Sequence, residues 1–388
     1  MSSSHLISEI KGPAGLLTLN RARALNALSL AMVRDLTTAL LVWRDDPAVQ
    51  LVAIRGTGKN PATGQEEPFG AFCAGGDIRF FHQAALTGNP ELEDFFTEEY
   101  RLNHLLHSYP KPVVALMDGI VMGGGMGIAQ GAGMRIVTER TRMAMPETNI
   151  GLFPDVGGGY FLSRCPGHLG EYLALTGQML NGQQAIATGL ADHWMPSGGL
   201  PSVWDNLANQ GLAALDALQT TPRATASEPV RADPFGVVQD QPVEAPALPL
   251  DQINHYFARP SLLEIVHALE TAAATDTWAR DTAAALRKRS PLMLCVTLEQ
   301  VRRARSMGLS EDLRMERDLV RHCFHPAHLA RSGAGTEVVE GIRALAVDKD
   351  HQPRWNPPRI EDITPDMVAP FFHSPWPAQA HPLHALVY

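Results

Sequence analysis

The stretch that decides the fold is KPVVALMDGIVMGGGMGIAQGAG, residues 111–133. Its first part, 111–121, is a continuous apolar run that is typical of a buried strand. The glycines that follow permit close backbone approach, and a helix beginning there would direct free N–H groups at an anion or a polarised carbonyl oxygen. The stretch therefore predicts a strand, a glycine turn and a helix, and the turn is a candidate oxyanion hole.

Two phosphate-binding motifs do not fit this glycine turn. A dinucleotide fingerprint would need its third glycine at Ile128 or Gln130, and a P-loop would need a Gly-Lys-Ser/Thr sequence after the turn. A purely structural role for the glycine turn stays open, because small residues also let a helix pack closely on a strand.

Short strand patterns and helical patterns alternate on both sides of this stretch. Residues 15–20 and 49–56 are rich in β-branched residues or leucine, and the segment between them has apolar residues at helical spacing. This rhythm predicts a layered α/β core over residues 1–200. Residues 201–388 are predicted to be mainly helical, with a proline-rich loop near 221–250.

Composition excludes several classes of protein. The chain has 388 residues, 45% hydrophobic and 19% charged, with a net charge of −9 and no basic patch, which argues against a nucleic-acid binder. No apolar run reaches the roughly 18 residues of a membrane span, and no targeting segment is evident. The four cysteines are widely spaced, so neither a metal site nor a disulfide framework is indicated. We expect a cytoplasmic protein that contacts neither membranes nor nucleic acid.

A second glycine pair lies in FCAGGDIRFF, residues 72–81. It joins an apolar run to a helical pattern, so the N–H of Ala74 or its neighbours could be a second oxyanion donor. Asp77 at the start of the helix is as consistent with an N-cap as with a catalytic acid.

Three acids stand in apolar surroundings. In DFFTEEYRLNHLLH, residues 94–107, Glu99 shares a helix face with apolar residues and is a better candidate for a buried acid than Glu98. Glu147 and Asp155 lie eight residues apart in PETNIGLFPDVGGGYF, on turns shaped by proline and glycine. Buried carboxyl groups have raised pKa values and can exchange protons near neutrality, so all three are candidate catalytic groups.

These motifs resemble the crotonase (enoyl-CoA hydratase/isomerase) superfamily in order and spacing. The resemblance rests on LNRARALNALSLAMV, FCAGGDI, the glycine stretch and PETNIGLFPDVGGGYF. FFTEEYRLN, SPLMLCVTLEQVRRA and EDLRMERDLV are similar to the branch of 3-hydroxyisobutyryl-CoA hydrolases, enzymes of valine catabolism. The resemblance implies a spiral of repeated ββα units with a helical C-terminal region, and it covers nearly the whole chain.

The resemblance also implies roles for single residues. The oxyanion donors would be the N–H groups of Ala74 and Gly124, which would hold the thioester carbonyl of an acyl-CoA. Glu147 would act as general base or nucleophile, and Asp155 would orient the substrate hydroxyl or the water. Substrate binding would involve Glu99 and the two glycine loops, with these further residues: Gly75, Gly76, Asp77 and Gly123. No cofactor or metal is implied, because coenzyme A is part of the substrate.

Three functions are open at this level. The resemblance favours a short-chain 3-hydroxyacyl-CoA thioester hydrolase. An enoyl-CoA hydratase or isomerase is the second, but Gly127 stands where hydratases of the family carry their first glutamate. A non-catalytic acyl-CoA-binding protein is the third, and it would be expected to have lost the acids. The resemblance is consistent with a homo-oligomer, trimer-based as in many members of the superfamily, but the long C-terminal half could equally cover the trimer surface, so the oligomeric state stays open. The segment 61–70, longer than usual in the family, is expected to form a flap or reshape the coenzyme A entry.

Overall fold

The computed structural model describes residues 5–59, 63–220 and 247–386. Most of the proline-rich loop that the sequence predicts near 221–250 lies outside the described residues. Among the described residues, no helix combines the length and the apolar character that crossing a membrane requires.

The chain forms two compact units that interleave along the sequence. The first unit comprises residues 1–76, 102–144 and 179–248, and the second comprises 77–101, 145–178 and 249–388. The units therefore do not divide near residue 200, where the sequence patterns change. Each is built from three separate segments, because helices from late in the chain pack on segments from its first half.

The first unit contains the β-structure. Its main sheet has the strand order β1-β2-β3-β5-β7-β9, with β4 paired to β3, and β6 and β8 form a second sheet. From β2 to β9 the neighbours along that order are parallel, whereas β1 and β4 pair antiparallel. The strands are β1 Leu6–Lys11, β2 Ala14–Leu19, β3 Leu51–Lys59, β4 Glu66–Gly70, β5 Val113–Met117, β6 Ile120–Met122, β7 Met134–Val137, β8 Arg142–Ala144 and β9 His193–Trp194.

The apolar run 111–121, predicted as one strand, forms two strands in two different sheets. Asp118 and Gly119 separate β5 from β6, and Gly119 has φ +78°. A Cβ atom there would lie 2.1 Å from the Gly70 carbonyl oxygen, so only glycine fits this corner. The chain thereby passes from the main sheet to the second sheet within two residues.

Successive ββα circuits build this unit. β5, β6 and α4 form one circuit, and β7 followed by β8 begins the next. Isolated bridges Leu28–Gly76, Cys73–Val121 and Met143–Leu180 continue the second sheet on both sides. The predicted α/β spiral is confirmed. The segment 61–70 provides β4, so its described part from Glu66 extends the sheet as a hairpin with β3.

The second unit is helical, as is the rest of the described chain beyond β9. Buried Phe81, Phe95 and Phe96 pack with ring centroids 4.8 to 5.5 Å apart and fix α2 against the start of α3. The α-helices of the described chain are α1 Leu30–Asp45, α2 Ile78–Thr87, α3 Glu91–His107, α4 Gly124–Gln130, α5 Gly158–Leu162, α6 Leu169–Thr176, α7 Gly182–Ala187, α8 Leu200–Gln210, α9 Leu212–Thr220, α10 Leu250–Phe257, α11 Leu262–Ala272, α12 Thr277–Arg287, α13 Pro291–Ala304, α14 Leu309–Phe324, α15 Glu337–Ile342 and α16 Pro365–Val368.

Candidate active site

In the first unit the two glycine loops touch. The Met122 N–H donates to the Cys73 carbonyl at 2.9 Å, and a Cβ on Gly125 would lie 2.3 Å from that same oxygen. A Cβ on Gly75, where φ is +99°, would lie 3.5 Å from the Gly124 nitrogen. The two glycine loops thus lie side by side. A side chain at Gly125 would push them apart, and the positive φ at Gly75 favours glycine there.

The predicted donor Ala74 is not available. Its N–H donates to the Leu25 carbonyl oxygen at 2.9 Å, because the loop pairs with the segment 25–28 in a strand-like manner. Among the described residues, the N–H groups of Gly75, Gly76 and Gly124 make no hydrogen bond. In these two loops the N–H groups that can bind a carbonyl oxygen are therefore those of Gly75 and Gly76, one and two residues beyond Ala74, and that of Gly124.

The remaining predicted residues of these loops have clear local roles. Gly123 has φ +48° and precedes α4, so it forms the turn from which the helix starts. Gly127 lies buried inside α4, and it leaves this helix without the carboxyl group that a hydratase of the family would carry there. Asp77 caps α2, because its side chain accepts a hydrogen bond from the Phe80 N–H at 3.3 Å.

In the second unit the three predicted acids are all buried. Glu99 on α3 is 2% exposed, Glu147 6% and Asp155 5%. Glu147 begins a 3₁₀ turn directly after Pro146, and Asp155 lies in the turn that leads into α5. Among the described residues, Glu99 Oε1 and Glu147 Oε2 have no hydrogen-bond partner. Each of these oxygens is thus free to bind a substrate group or a water molecule.

The three carboxyl groups influence one another. Burial raises the pKa of Glu99 well above its usual value, and the charges of Asp155 and Glu147 raise it further. The pKa of Glu147 is raised well above its usual value by burial and then by the charge of Asp155. Burial also raises the pKa of Asp155, to about 6. Such a set holds and exchanges protons near neutral pH.

Tyr100 is a residue of this cluster that the sequence analysis missed. Its phenol donates to Asp155 Oδ2 at 2.8 Å, and this hydrogen bond counteracts part of the rise in the pKa of Asp155. Tyr100 follows Glu99 directly, and its ring packs against Phe96 with centroids 6.2 Å apart. A buried phenol usually has a hydrogen-bond partner. The position of Tyr100 directly after a predicted buried acid was therefore the signal in the sequence that could have identified it.

Asp312 and Glu316 on α14 were also missed. Both are fully buried and accept hydrogen bonds from backbone N–H groups of the turn 155–160. They stand four residues apart in EDLRMERDLV, on the helix face that also carries buried Leu313 and Val320. The same periodicity argument that selects Glu99 would have selected them.

Over the described chain, no group of three or more His, Cys, Asp or Glu side chains could hold a metal ion. The chemistry that these residues offer is that of buried carboxyl groups and free backbone amides.

The raised pKa of Glu99 predicts that its substitution affects thermal stability in a pH-dependent way. Because its pKa is raised in the folded protein, the ionised carboxyl group destabilises the fold as pH rises above its unfolded value of 4.5. Glu99→Gln should therefore raise Tm by about 2 to 5 °C at pH 8 and by less at pH 4.5. Thermal unfolding at both pH values measures this, with Glu98→Gln, a partly exposed neighbour on the same helix, as the control. An equal change in Tm at the two pH values would contradict the argument.

The sequence and the structure both match known proteins. The sequence profile of the enoyl-CoA hydratase/isomerase family matches residues 14–372. The chain is 40% identical to the mitochondrial 3-hydroxyisobutyryl-CoA hydrolase of Xenopus tropicalis, over 94% of this chain and 87% of that protein. It is 37% identical to the probable 3-hydroxyisobutyryl-CoA hydrolase 3 of Arabidopsis thaliana, over 96% of this chain and 92% of that protein.

Solved structures of similar length share the fold. A carnitinyl-CoA dehydratase from Mycobacterium thermoresistibile superposes with a TM-score of 0.80 at 34% identity, covering 99% of both chains. An enoyl-CoA hydratase from Rhodobacter sphaeroides superposes with a TM-score of 0.79 at 35% identity, covering 96% of this chain and 98% of that one. The profile, the relatives and the structures agree, and the chain belongs to the enoyl-CoA hydratase/isomerase family.

Proposed function

We propose that the protein hydrolyses the thioester of 3-hydroxyisobutyryl-CoA, or of a related short-chain 3-hydroxyacyl-CoA, to the free acid and coenzyme A. The observation that carries the proposal is the buried set of Glu99, Glu147 and Asp155, in a chain where Gly127 replaces the first glutamate of a hydratase. Relatives named as 3-hydroxyisobutyryl-CoA hydrolases, 37–40% identical over almost the whole chain, support it.

The proposed reaction needs three contributions from the protein. Free glycine amides stabilise the negative charge that develops on the thioester oxygen, and the loss of one such donor typically costs about two to three orders of magnitude in rate. We assign this role to Gly124 and, in place of Ala74, to Gly75 or Gly76. Glu147 takes the proton of the attacking water or attacks the carbonyl carbon itself.

Asp155 and Glu99 have the remaining roles in the proposed reaction. Asp155, ionised at the start, orients the water or the 3-hydroxyl group and relays the proton released by the attacking water to the thiolate that is left when the C–S bond breaks. Where Glu147 attacks the carbonyl carbon itself, the C–S bond breaks to give a mixed anhydride, and the proton comes from the water that then cleaves this anhydride. Glu99 accepts a hydrogen bond from the same hydroxyl through the oxygen that has no partner among the described residues. The thioester is itself the activated group, so we propose that the reaction needs no metal or redox cofactor.

A hydratase or isomerase is the second candidate, because two solved structures that superpose over almost the whole chain are named as a dehydratase and an enoyl-CoA hydratase. Hydration of a double bond in this family uses two glutamates, and the first is absent at Gly127. The predicted assembly as a homo-oligomer and the predicted cytoplasmic location stay predictions, and vertebrate relatives are named as mitochondrial.

One assay separates the two candidates. Purified protein is offered 3-hydroxyisobutyryl-CoA and crotonyl-CoA, and both thiol release and loss of enoyl absorbance are recorded. We expect thiol release from the hydroxyacyl thioester and no loss of enoyl absorbance with crotonyl-CoA. Enoyl loss without thiol release would establish the hydratase instead, and binding without either reaction would favour the non-catalytic reading.

A further inference from the structure

The turn that carries Asp155 has an unusual backbone. Val156 directly after it has φ +59°, and Gly157 has φ +88°. A β-branched residue with positive φ is a genuine outlier, and such a conformation persists only where the surrounding structure imposes it. Groups that surround the turn must therefore hold it in this conformation.

Glu316 on α14 holds the turn that follows Asp155. One carboxylate oxygen accepts the Gly157 N–H at 2.7 Å, and the other accepts the Gly159 N–H at 2.9 Å. Gln300 on α13 supports the same place, because its Nε2 donates to Glu316 Oε1 at 3.1 Å and to the Pro154 carbonyl oxygen at 2.6 Å. The residues on both sides of Asp155 are thus tied to two side chains.

Asp312 holds the next residue of the turn in the same way. Its Oδ2 accepts the Tyr160 N–H at 2.8 Å, and a Cβ on Gly159 would lie 2.3 Å from its Oδ1. Close contact between this carboxyl group and the backbone is therefore possible only with glycine at 159. Gly159 is required because Asp312 occupies the space that a side chain there would fill.

Burial of the Asp312 and Glu316 carboxyl groups costs free energy of folding. Asp312 and Glu316 are both fully buried, and over the described chain neither has a salt-bridge partner. Burial raises the pKa of Asp312 to about 6, and burial together with the charge of Asp312 raises the pKa of Glu316 well above its usual value. The charge of Asp155 raises the pKa of Glu316 further. A turn with a purely structural role could be closed without burying two acids beside a third.

We propose that Glu316, supported by Gln300 and Asp312, is a positioning residue for Asp155. It fixes the strained turn so that the carboxyl group of Asp155 is held at one place, while the hydrogen bond from the Tyr100 phenol fixes the orientation of that carboxyl group. The proposal rests on the proposed function, in which Asp155 handles the proton of thioester hydrolysis. Glu316 itself touches neither substrate nor water in this account.

A double-mutant cycle tests whether Glu316 acts through Asp155. Glu316→Gln keeps the shape but can accept only one of the two glycine N–H groups. We expect kcat for thiol release to fall about 10- to 100-fold, since small displacements of a catalytic group are that costly, while KM changes little. In the Asp155→Asn background, Glu316→Gln should cause no further loss, because the group that it positions is already gone. Losses that multiply in the double variant would overturn the proposal.

A control and an activity-independent measurement complete the experiment. Glu299→Gln on α13 removes a partly exposed ion pair with Arg303, and it should leave kcat unchanged. Amide hydrogen exchange of the peptide 155–161 should be faster in Glu316→Gln than in wild type or in Glu299→Gln.

If the wild-type protein releases no thiol, the proposed function fails. The exchange measurement still tests whether Glu316 holds the turn, because it does not depend on activity. Unchanged exchange in Glu316→Gln would overturn the proposal. If that variant does not fold, Gln300→Met, which removes both donated hydrogen bonds at similar volume, takes its place in the cycle and in the exchange measurement with the same expectations.

Discussion

Glu147→Gln is expected to lower kcat for thiol release by about two to four orders of magnitude, the range that removal of a general base or acid produces. The amide has nearly the shape of the carboxyl group, and Glu147 Oε2 has no partner among the described residues, so no internal hydrogen bond at that oxygen is lost. Folding should be retained, because the variant removes a buried group whose pKa is raised by burial and by Asp155. Steady-state thiol release and thermal unfolding measure the two effects.

A labelling experiment on the wild-type enzyme separates the two roles that stay open for Glu147. A single turnover in ¹⁸O-labelled water places the label in the product acid if Glu147 activates water. If Glu147 is the nucleophile and water attacks its own carbonyl in the mixed anhydride, the label enters the side chain of Glu147. Turnover of Glu147→Gln within about tenfold of wild type would contradict both roles, because either one requires the carboxylate.

Asp155→Asn is expected to lower kcat by at least about a hundredfold, since an amide cannot pass a proton to the leaving thiolate. Its carboxyl group has a pKa of about 6 and must be ionised to accept the proton that it relays, so kcat/KM of the wild type should fall as the pH drops through that region. Near-normal turnover of Asp155→Asn would show that the proton takes another route.

Tyr100→Phe is the matched control for this assignment. It removes the phenol that donates to Asp155 Oδ2 at 2.8 Å and leaves the carboxyl group in place. Because that hydrogen bond favours the ionised form, its loss should raise the pKa of Asp155, and the acid limb should move to higher pH. A variant that loses activity with an unmoved acid limb would place Tyr100 outside the proton chemistry.

Local patterns in the sequence predicted a layered α/β core and the burial of Glu99, and the spiral arrangement was implied by the family resemblance. The spacing of apolar residues is a property of the single element, and the structure follows it on α3. The corner at Gly119 could not be read in the same way, because an apolar run continues through it and two sheets share its residues.

The errors within the candidate site have a common cause. The N–H of Ala74 is used by Leu25, and the turn after Asp155 is held by Glu316, which is 161 positions further along the chain. Both facts depend on which distant segment supplies a hydrogen-bond partner. Sequence patterns show that a group is buried, but the identity of a remote partner requires the fold.

The interleaving of the two units has a consequence for how the protein is made. The segment 145–178, which carries Glu147 and Asp155, shares its compact unit with residues 77–101 and 249–388, and the last of these segments includes the two acids of α14. During synthesis the ribosome must therefore add most of the remaining chain before the turn of Asp155 can settle. A nascent chain that stops near residue 200 would expose that segment without its partners, so we expect the C-terminal helices to govern the yield of native enzyme.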